Sequence, residues 1–310
     1  MGNCVNMDRS PSHVLESADF ADLLATWTEY YTYEEDTTLA DSALPAPCYS
    51  TFCSSVGGAI PTFLVVAGTL GILGSLALAI ALVMCFRLWE QTGLVLTALS
   101  TALFATILPF FAAGISWGWT FGDGLCRTAQ AVKYGCLFAQ GLLAAACVCP
   151  APKAALPSCL LPLVLWVTGF LLAIPVVVIH STGKDGEAIC ALSQAPELLW
   201  WSLTHVIFWV AVFYILPAGI ALAKVALKWQ RAGWHPPAVV TWLFYLLWAP
   251  YGVALILNML LQMNLLAHTC SLQEHLSYFL GLSEGLGVLH CILCPFLVLG
   301  MAIHHRRAAQ

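Results

Sequence analysis

One segment near the start of the chain packs three tyrosines and four acids into eight residues. It reads Glu29, Tyr30, Tyr31, Thr32, Tyr33, Glu34, Glu35 and Asp36. Acidic flanks are the usual context of tyrosine sulfation, which would add fixed negative charge to Tyr30, Tyr31 and Tyr33. Crowded like charges keep such a segment extended, steer a cationic partner towards it and raise the rate of association. The pattern predicts an electrostatic capture site for a basic partner.

The residues before this segment combine charge with apolar surface. The candidates for partner contact there are Asp19, Phe20, Asp22 and Trp27. Aromatic side chains anchor interfaces, and charged neighbours orient the partner. Residues 1–59 contain nine acids and one base, a charge of −8, whereas the rest of the chain contains 7 acids and 10 bases, a charge of +3. The net charge of −5 therefore comes from this tail. The alternative interpretation is a tail that only keeps the protein soluble.

Two charged residues lie deep inside apolar runs. Lys133 and Glu284 each fall eight residues inside a predicted helix, which is about 12 Å from its end at about 1.5 Å per residue. Charges inside a membrane usually pair with one another or mark a ligand path. We hypothesise that these two form an ion pair at the floor of an outward-facing vestibule. The alternative is that each side chain reaches separately towards water.

The composition requires a membrane for these residues. The 310 residues are 60% hydrophobic and 9% charged, with a mean hydropathy of +0.85, against about 45–50% apolar and about 25% charged in soluble domains. No basic patch could grip phosphates, so no nucleic acid partner is expected. The sequence contains no His-Glu-x-x-His and no pair of acids within the predicted spans, so no enzyme is expected. Cys147 and Cys149 lack further ligands nearby, so neither a metal nor a cofactor is expected.

Long apolar runs divide the chain into a tail and a helical body. A bilayer core takes about 20 apolar residues per helix. This length predicts seven membrane spans near residues 60–85, 93–115, 125–149, 156–179, 198–223, 237–261 and 276–303. The predicted organisation is an acidic extracellular tail over 1–59, a bundle over 60–303 and a short cytoplasmic tail over 304–310. The fold class is an all-α membrane protein.

The charges of the connecting loops predict the orientation of this bundle. With the N-terminus outside, the inner loops and tail contain Arg87, Lys153, Lys224, Lys228, Arg231, Arg306 and Arg307, and one acid, Glu90. The outer connections contain mainly acids. Because inner loops of membrane proteins are enriched in Lys and Arg, the N-terminus is expected to be extracellular.

Landmark residues in these spans resemble those of rhodopsin-like receptors. They are Trp119-Thr120-Phe121-Gly122 ahead of Cys126, Trp166 with Pro175, Pro217, and Trp248-Ala249-Pro250. Prolines inside membrane helices bend them, because neighbouring groups satisfy the freed carbonyls. The resemblance implies a seven-transmembrane-helix bundle of the rhodopsin-like receptor type.

The seventh span and the tail narrow this resemblance to the chemokine-receptor family. Glu284, followed by His290-Cys291 and Cys294-Pro295, is similar to the chemokine-receptor pattern of that span. The start of the chain and three short stretches are similar to the atypical branch of that family; these are Met1-Gly2-Asn3-Cys4, Asp19-Phe20-x-Asp22, Ala46-Pro47-Cys48 and Phe138-Ala139-Gln140.

This resemblance implies ligands, disulfides and a location. Chemokines of both main subclasses would bind the tail residues named above and Glu284. The implied disulfides are Cys126–Cys190 and Cys48–Cys270, although by position Cys53 could replace Cys48. The protein would lie in the plasma membrane, with passage through early and recycling endosomes, and would form homo- or hetero-oligomers with other chemokine receptors.

Departures from the signalling members predict that the receptor binds without signalling. Where those receptors end the third span with Asp-Arg-Tyr, this chain has Pro150-Ala151-Pro152. Thr101 stands where they place a sodium-binding Asp, and Ser75 stands for their Asn. The residues that grip a G protein are therefore missing, and no productive G protein is expected. The alternatives are a signalling receptor of the chemokine type or, less favoured, a small membrane transporter.

Overall fold

The structure, a computed structural model, describes residues 58–85, 92–148, 160–182, 190–192, 196–226, 236–267 and 269–309. The tail residues predicted to contact a ligand, from Asp19 to Asp36, lie outside these ranges, as do Cys48 and Pro150–Pro152. In the described part, seven helices are long and apolar enough to cross a membrane. The predicted seven-helix fold is confirmed.

Each span is helical because lipid offers no partners to backbone amides and carbonyls, so the segment must satisfy its own. The helices comprise Ala59–Cys85, Thr92–Trp117, Gly122–Val148, Leu160–Leu172 with Ile174–Ile179, Leu199–Val210 with Leu216–Ala226, Pro236–Gln262, and Cys270–Val288 with His290–Ala309. We number these seven spans in chain order.

Prolines explain two of the interruptions. The fourth span turns at Ala173, directly before the short helix that Pro175 helps to start. In the fifth span a π-helical turn, Ala211–Ile215, precedes Pro217, which has no amide to donate to the carbonyl four residues earlier. The neighbouring turn absorbs this missing hydrogen bond without ending the span.

The seventh span begins earlier than the predicted residue 276. Thr269 has extended backbone and caps the helix, since its hydroxyl accepts a hydrogen bond from the Leu272 amide at 3.2 Å. A threonine before a helix is a start signal because it satisfies one of the unpaired first-turn amides. The polar first turns, including Glu274, are therefore helical rather than part of a loop.

A β-hairpin covers one end of the bundle, which we call the hairpin end. Strand β1, His180–Thr182, pairs antiparallel with strand β2, Cys190–Leu192. The Cys126–Cys190 disulfide joins β2 to the third span, which confirms that predicted pair. The Thr182 amide donates to Asp123 Oδ1 at 3.0 Å and fixes β1 to the same helix. In the described residues, these two strands are the exception to an all-α chain.

The core is built from aromatic rings that pack by stacking and edge to face. Trp209 stacks on Phe213 at a centroid distance of 4.2 Å, and its ring meets the edge of Trp248 at 5.9 Å. Such arrangements are favoured by the charge distribution of aromatic rings. The third and fourth spans approach so closely that a Cβ at Gly169 would lie 2.3 Å from the backbone nitrogen of Ala139. Only glycine fits at that crossing.

We expect Gly169→Ala to destabilise the bundle by about 1–3 kcal/mol, because overpacking there forces two helix backbones apart. The measurement is the melting temperature of the purified protein in detergent. Gly219→Ala is the matched control, because a Cβ at Gly219 meets nothing within 4 Å. Equal melting temperatures for the two variants would contradict the close crossing.

Candidate functional site

A cavity of about 330 Å³ lies beneath the hairpin. The third, fifth and sixth spans and the hairpin supply its polar walls, which include Gln130, Tyr134, His180, His205, Tyr251 and Asn258. Cavities of this size at the centre of a helical bundle are the usual place for ligands. The charges at the floor decide which ligands could enter.

Lys133 lines this cavity, and its partner Glu284 lines a smaller adjoining cavity of about 40 Å³. The Lys133 ammonium contacts Glu284 Oε1 and so ties the third span to the seventh. Both side chains are buried, at 7% and 4% of their full exposure. Of the two arrangements considered from the sequence, the structure has the direct pair rather than two separate groups. A buried charge without its partner is costly, so each residue requires the other.

Aromatic rings surround the ammonium. Lys133 Nζ lies 5.0 Å from the centroid of the Tyr134 ring, 5.5 Å from that of Phe111 and 6.0 Å from that of Tyr251. Ring faces attract a cation most where water is excluded. The rings therefore stabilise the charge of Lys133 in addition to the carboxylate of Glu284.

The two tyrosines of this group also bond to each other. The hydroxyls of Tyr134 and Tyr251 lie 2.6 Å apart and join the third span to the sixth. Sequence reasoning missed both residues. Tyrosines are common in apolar runs, and these two are 117 positions apart in the sequence, so nothing local signals their contact.

His180 brings a neutral ring to the upper wall of the cavity. Its Nδ1 lies 2.9 Å from the Val176 carbonyl. Burial lowers the pKa of His180 to about 4, and the nearby Lys133 charge acts in the same direction. The ring is therefore uncharged at neutral pH, and it adds no positive charge to the cavity.

The sixth span is tied to the third towards the opposite end of the bundle as well. The Tyr245 hydroxyl donates to the Gly141 carbonyl at 2.6 Å, and the Thr241 hydroxyl donates to the Ala144 carbonyl at 3.4 Å. Thr101 stands at the position where signalling receptors place a sodium-binding Asp. It is buried, and its hydroxyl accepts a hydrogen bond from Gln140 Nε2 at 3.3 Å. A neutral hydrogen bond replaces a charged site at this position.

Cys270 is disulfide-bonded. Its predicted partner, Cys48 or Cys53, lies outside the described residues, so that choice stays a prediction. Across the described ranges, no three His, Cys, Asp or Glu side chains come together as metal ligands would.

Comparison with known proteins identifies full-length relatives, although no family model matches the chain. Atypical chemokine receptor 1 of Sapajus apella is 31% identical over 313 residues, which cover 96% of this chain and 90% of that receptor. The receptors of the same name from Homo sapiens and Bos taurus are each 30% identical, over 316 and 312 residues respectively, with the same shares covered. The similarity therefore extends along nearly the whole chain.

We expect Lys133→Met to destabilise the receptor by about 3–5 kcal/mol, because Glu284 would lose its buried partner. The double exchange Lys133→Glu with Glu284→Lys should restore part of the lost cell-surface expression, which is the quantity to measure. Arg127 and Asp123 form an exposed pair at 2.8 Å, and breaking it with Arg127→Met should cost about 1 kcal/mol at most. A double-exchange variant that expresses no better than Lys133→Glu alone or Glu284→Lys alone would contradict direct pairing.

Proposed function

The chain belongs to the atypical chemokine receptor 1 family, as a divergent orthologue, and we propose that it captures chemokines on its acidic tail without passing a signal to a G protein. It is a multi-pass membrane receptor with seven helices and not an enzyme. In this proposal it acts as a decoy, a buffer or a carrier across cells.

The observation that carries the proposal is that the two intramembrane charges bind each other. Chemokines are mostly basic, and a basic peptide entering the cavity would need a carboxylate to pair with. Lys133 already occupies the Glu284 carboxylate at the floor. The charge that can attract a basic ligand is therefore concentrated in the tail, at −8 over residues 1–59.

The proposed contact residues divide into two groups. The tail supplies Asp19, Phe20, Asp22, Trp27, Glu29, Tyr30, Tyr31, Tyr33, Glu34, Glu35 and Asp36. Glu284 is the member inside the bundle, and a basic ligand that took the place of Lys133 on its carboxylate would displace that ammonium. Displacement would leave a buried ammonium unpaired, so the tail should supply most of the affinity.

Three features support the absence of signalling, two through a G protein and one through phosphate-dependent recruitment of arrestin. The third span has no Asp-Arg-Tyr at its inner end. Tyr245 and Thr241 hold the sixth span to backbone carbonyls of the third. Thr92 is the one hydroxyl residue in segments 86–92, 150–155, 224–236 and 304–310, so phosphorylation has little there to act on.

The family relationship also supports the wider setting that we propose. Chemokines of both main subclasses are the proposed ligands, and the plasma membrane is the proposed site of capture. Early and recycling endosomes would receive the loaded receptor, and homo- or hetero-oligomers with other chemokine receptors complete the proposal.

Replacement of Tyr30, Tyr31 and Tyr33 by Phe should weaken chemokine binding about tenfold, which is about 1.4 kcal/mol, because it removes the sites for added negative charge. Affinity of the full receptor should also fall as salt rises, since the tail attracts its ligand over a distance that salt screens. The measurement is labelled chemokine binding to cells at increasing ionic strength.

Tyr49→Phe is the matched control for this experiment, because Tyr49 lies in the same tail without acidic neighbours. It should bind as the unchanged receptor does. Salt-independent affinity, or full affinity in the triple Phe variant, would support a tail that serves only solubility.

Chemokine should not recruit a G protein to this receptor, because the residues that would grip one are missing. Recruitment of a labelled G-protein fragment in living cells is the measurement, with a signalling chemokine receptor in the same cells as the positive control. A dose-dependent signal from this chain would overturn the non-signalling assignment and leave chemokine capture by the tail intact.

A further inference from the structure

Four polar residues around the cavity beneath the hairpin already have partners inside the protein. Lys133 binds Glu284. Tyr134 and Tyr251 share one hydrogen bond, and His180 Nδ1 lies against a backbone carbonyl. These groups stabilise the bundle and leave little hydrogen-bonding capacity for a ligand.

Two other lining residues are different. Gln130 Oε1 and both ring nitrogens of His205 are buried and have no hydrogen-bond partner. Gln130 and His205 are exposed by only 7% and 5%, and both line the cavity. Buried polar atoms are almost always paired, because an unpaired one loses its hydration without return. These two side chains therefore offer unused hydrogen-bonding atoms to a ligand in the cavity.

The unpaired atoms specify the chemistry of that group. Gln130 Oε1 can only accept, so the ligand must donate to it. A neutral His205 ring has one donor and one acceptor. A carboxamide can donate one N–H to Gln130 Oε1 and form a second hydrogen bond with one of the two His205 ring nitrogens, either through its other N–H or through its carbonyl.

The surrounding rings favour a flat ligand. The His205 ring meets the Tyr134 ring at a centroid distance of 4.8 Å, edge to face, and Tyr251 lies on the same cavity wall. Aromatic walls of this kind pack best against another ring. The volume of about 330 Å³ suits a small molecule of this type.

The charge balance of the cavity excludes ions. Among the described residues that line it, Lys133 is the one charged side chain, and its ammonium is bound to Glu284. A cationic ligand would need the Glu284 carboxylate, which is already bound to Lys133. An anionic ligand would meet the acceptor of Gln130 and would have to break a buried pair. A neutral molecule disturbs neither.

We propose that the cavity beneath the hairpin binds a small neutral heteroaromatic amide through Gln130 and His205. This ligand is distinct from the chemokines captured by the tail, and its site lies within the bundle. Because the tail should supply most of the chemokine affinity, the two binding events can be measured separately.

Three probes of nearly equal shape test the proposal on the full receptor in lipid nanodiscs. Nicotinamide is neutral, nicotinate carries a negative charge and 1-methylnicotinamide carries a positive charge. Saturation-transfer NMR at neutral pH measures the contact of each with the receptor. We expect a saturable signal from nicotinamide and at least a tenfold weaker one from either ion. No nicotinamide signal, or equal signals from all three probes, would overturn the proposal.

Variants locate the contact. Gln130→Leu and His205→Phe should each weaken the nicotinamide signal at least tenfold. Gln140→Leu is the matched control, because Gln140 lies in the same helix and bonds to Thr101 away from the cavity; it should leave the signal unchanged. Chemokine binding by each variant verifies folding, and either cavity variant alone is sufficient if the other does not fold. A signal that survives in a folded cavity variant, or that Gln140→Leu reduces as much, would refute the assignment.

Discussion

The contact between Lys133 and Glu284 is the interaction on which the organisation of the bundle depends. Charges inside a membrane are stable only when each has a partner, and here the partners come from the third and seventh spans. Tyr134 and Tyr251 continue the contact to the sixth span. These two charged residues and two tyrosines therefore hold three helices together. The ion pair also determines the charge of the cavity.

This arrangement separates the attraction of a basic ligand from the stabilisation of the helical bundle. The floor of the cavity is neutral overall, because its ammonium and carboxylate bind each other. The attraction for basic ligands lies in the tail, which contains nine acidic residues and one basic residue. Towards the opposite end of the bundle, hydroxyl groups of Tyr245 and Thr241 hold the sixth span to backbone carbonyls of the third. In this proposal the receptor captures chemokines on its tail, while the ion pair and these hydrogen bonds hold its helices together.

Several features could be predicted from the sequence because they follow from local or compositional constraints. Apolar runs of sufficient length must be helices in lipid, so seven spans followed from composition. The pairing of Lys133 with Glu284 could be predicted because charged residues are rare inside membrane spans. The Thr269 cap was missed although its residue type is a known start signal, because the polar residues after it suggested a loop. The hairpin was missed because three-residue strands carry no pattern of their own.

The sequence alone determined the number of spans, the acidic tail and the pair of buried charges, because each depends on residue type and on position along the chain. The folded arrangement decided that Lys133 contacts Glu284, that Tyr134 meets Tyr251, and that Gln130 and His205 are left without partners. These outcomes depend on how helices rotate and pack against one another. Residues more than a hundred positions apart become neighbours only after that packing, so spacing along the chain contains no record of them.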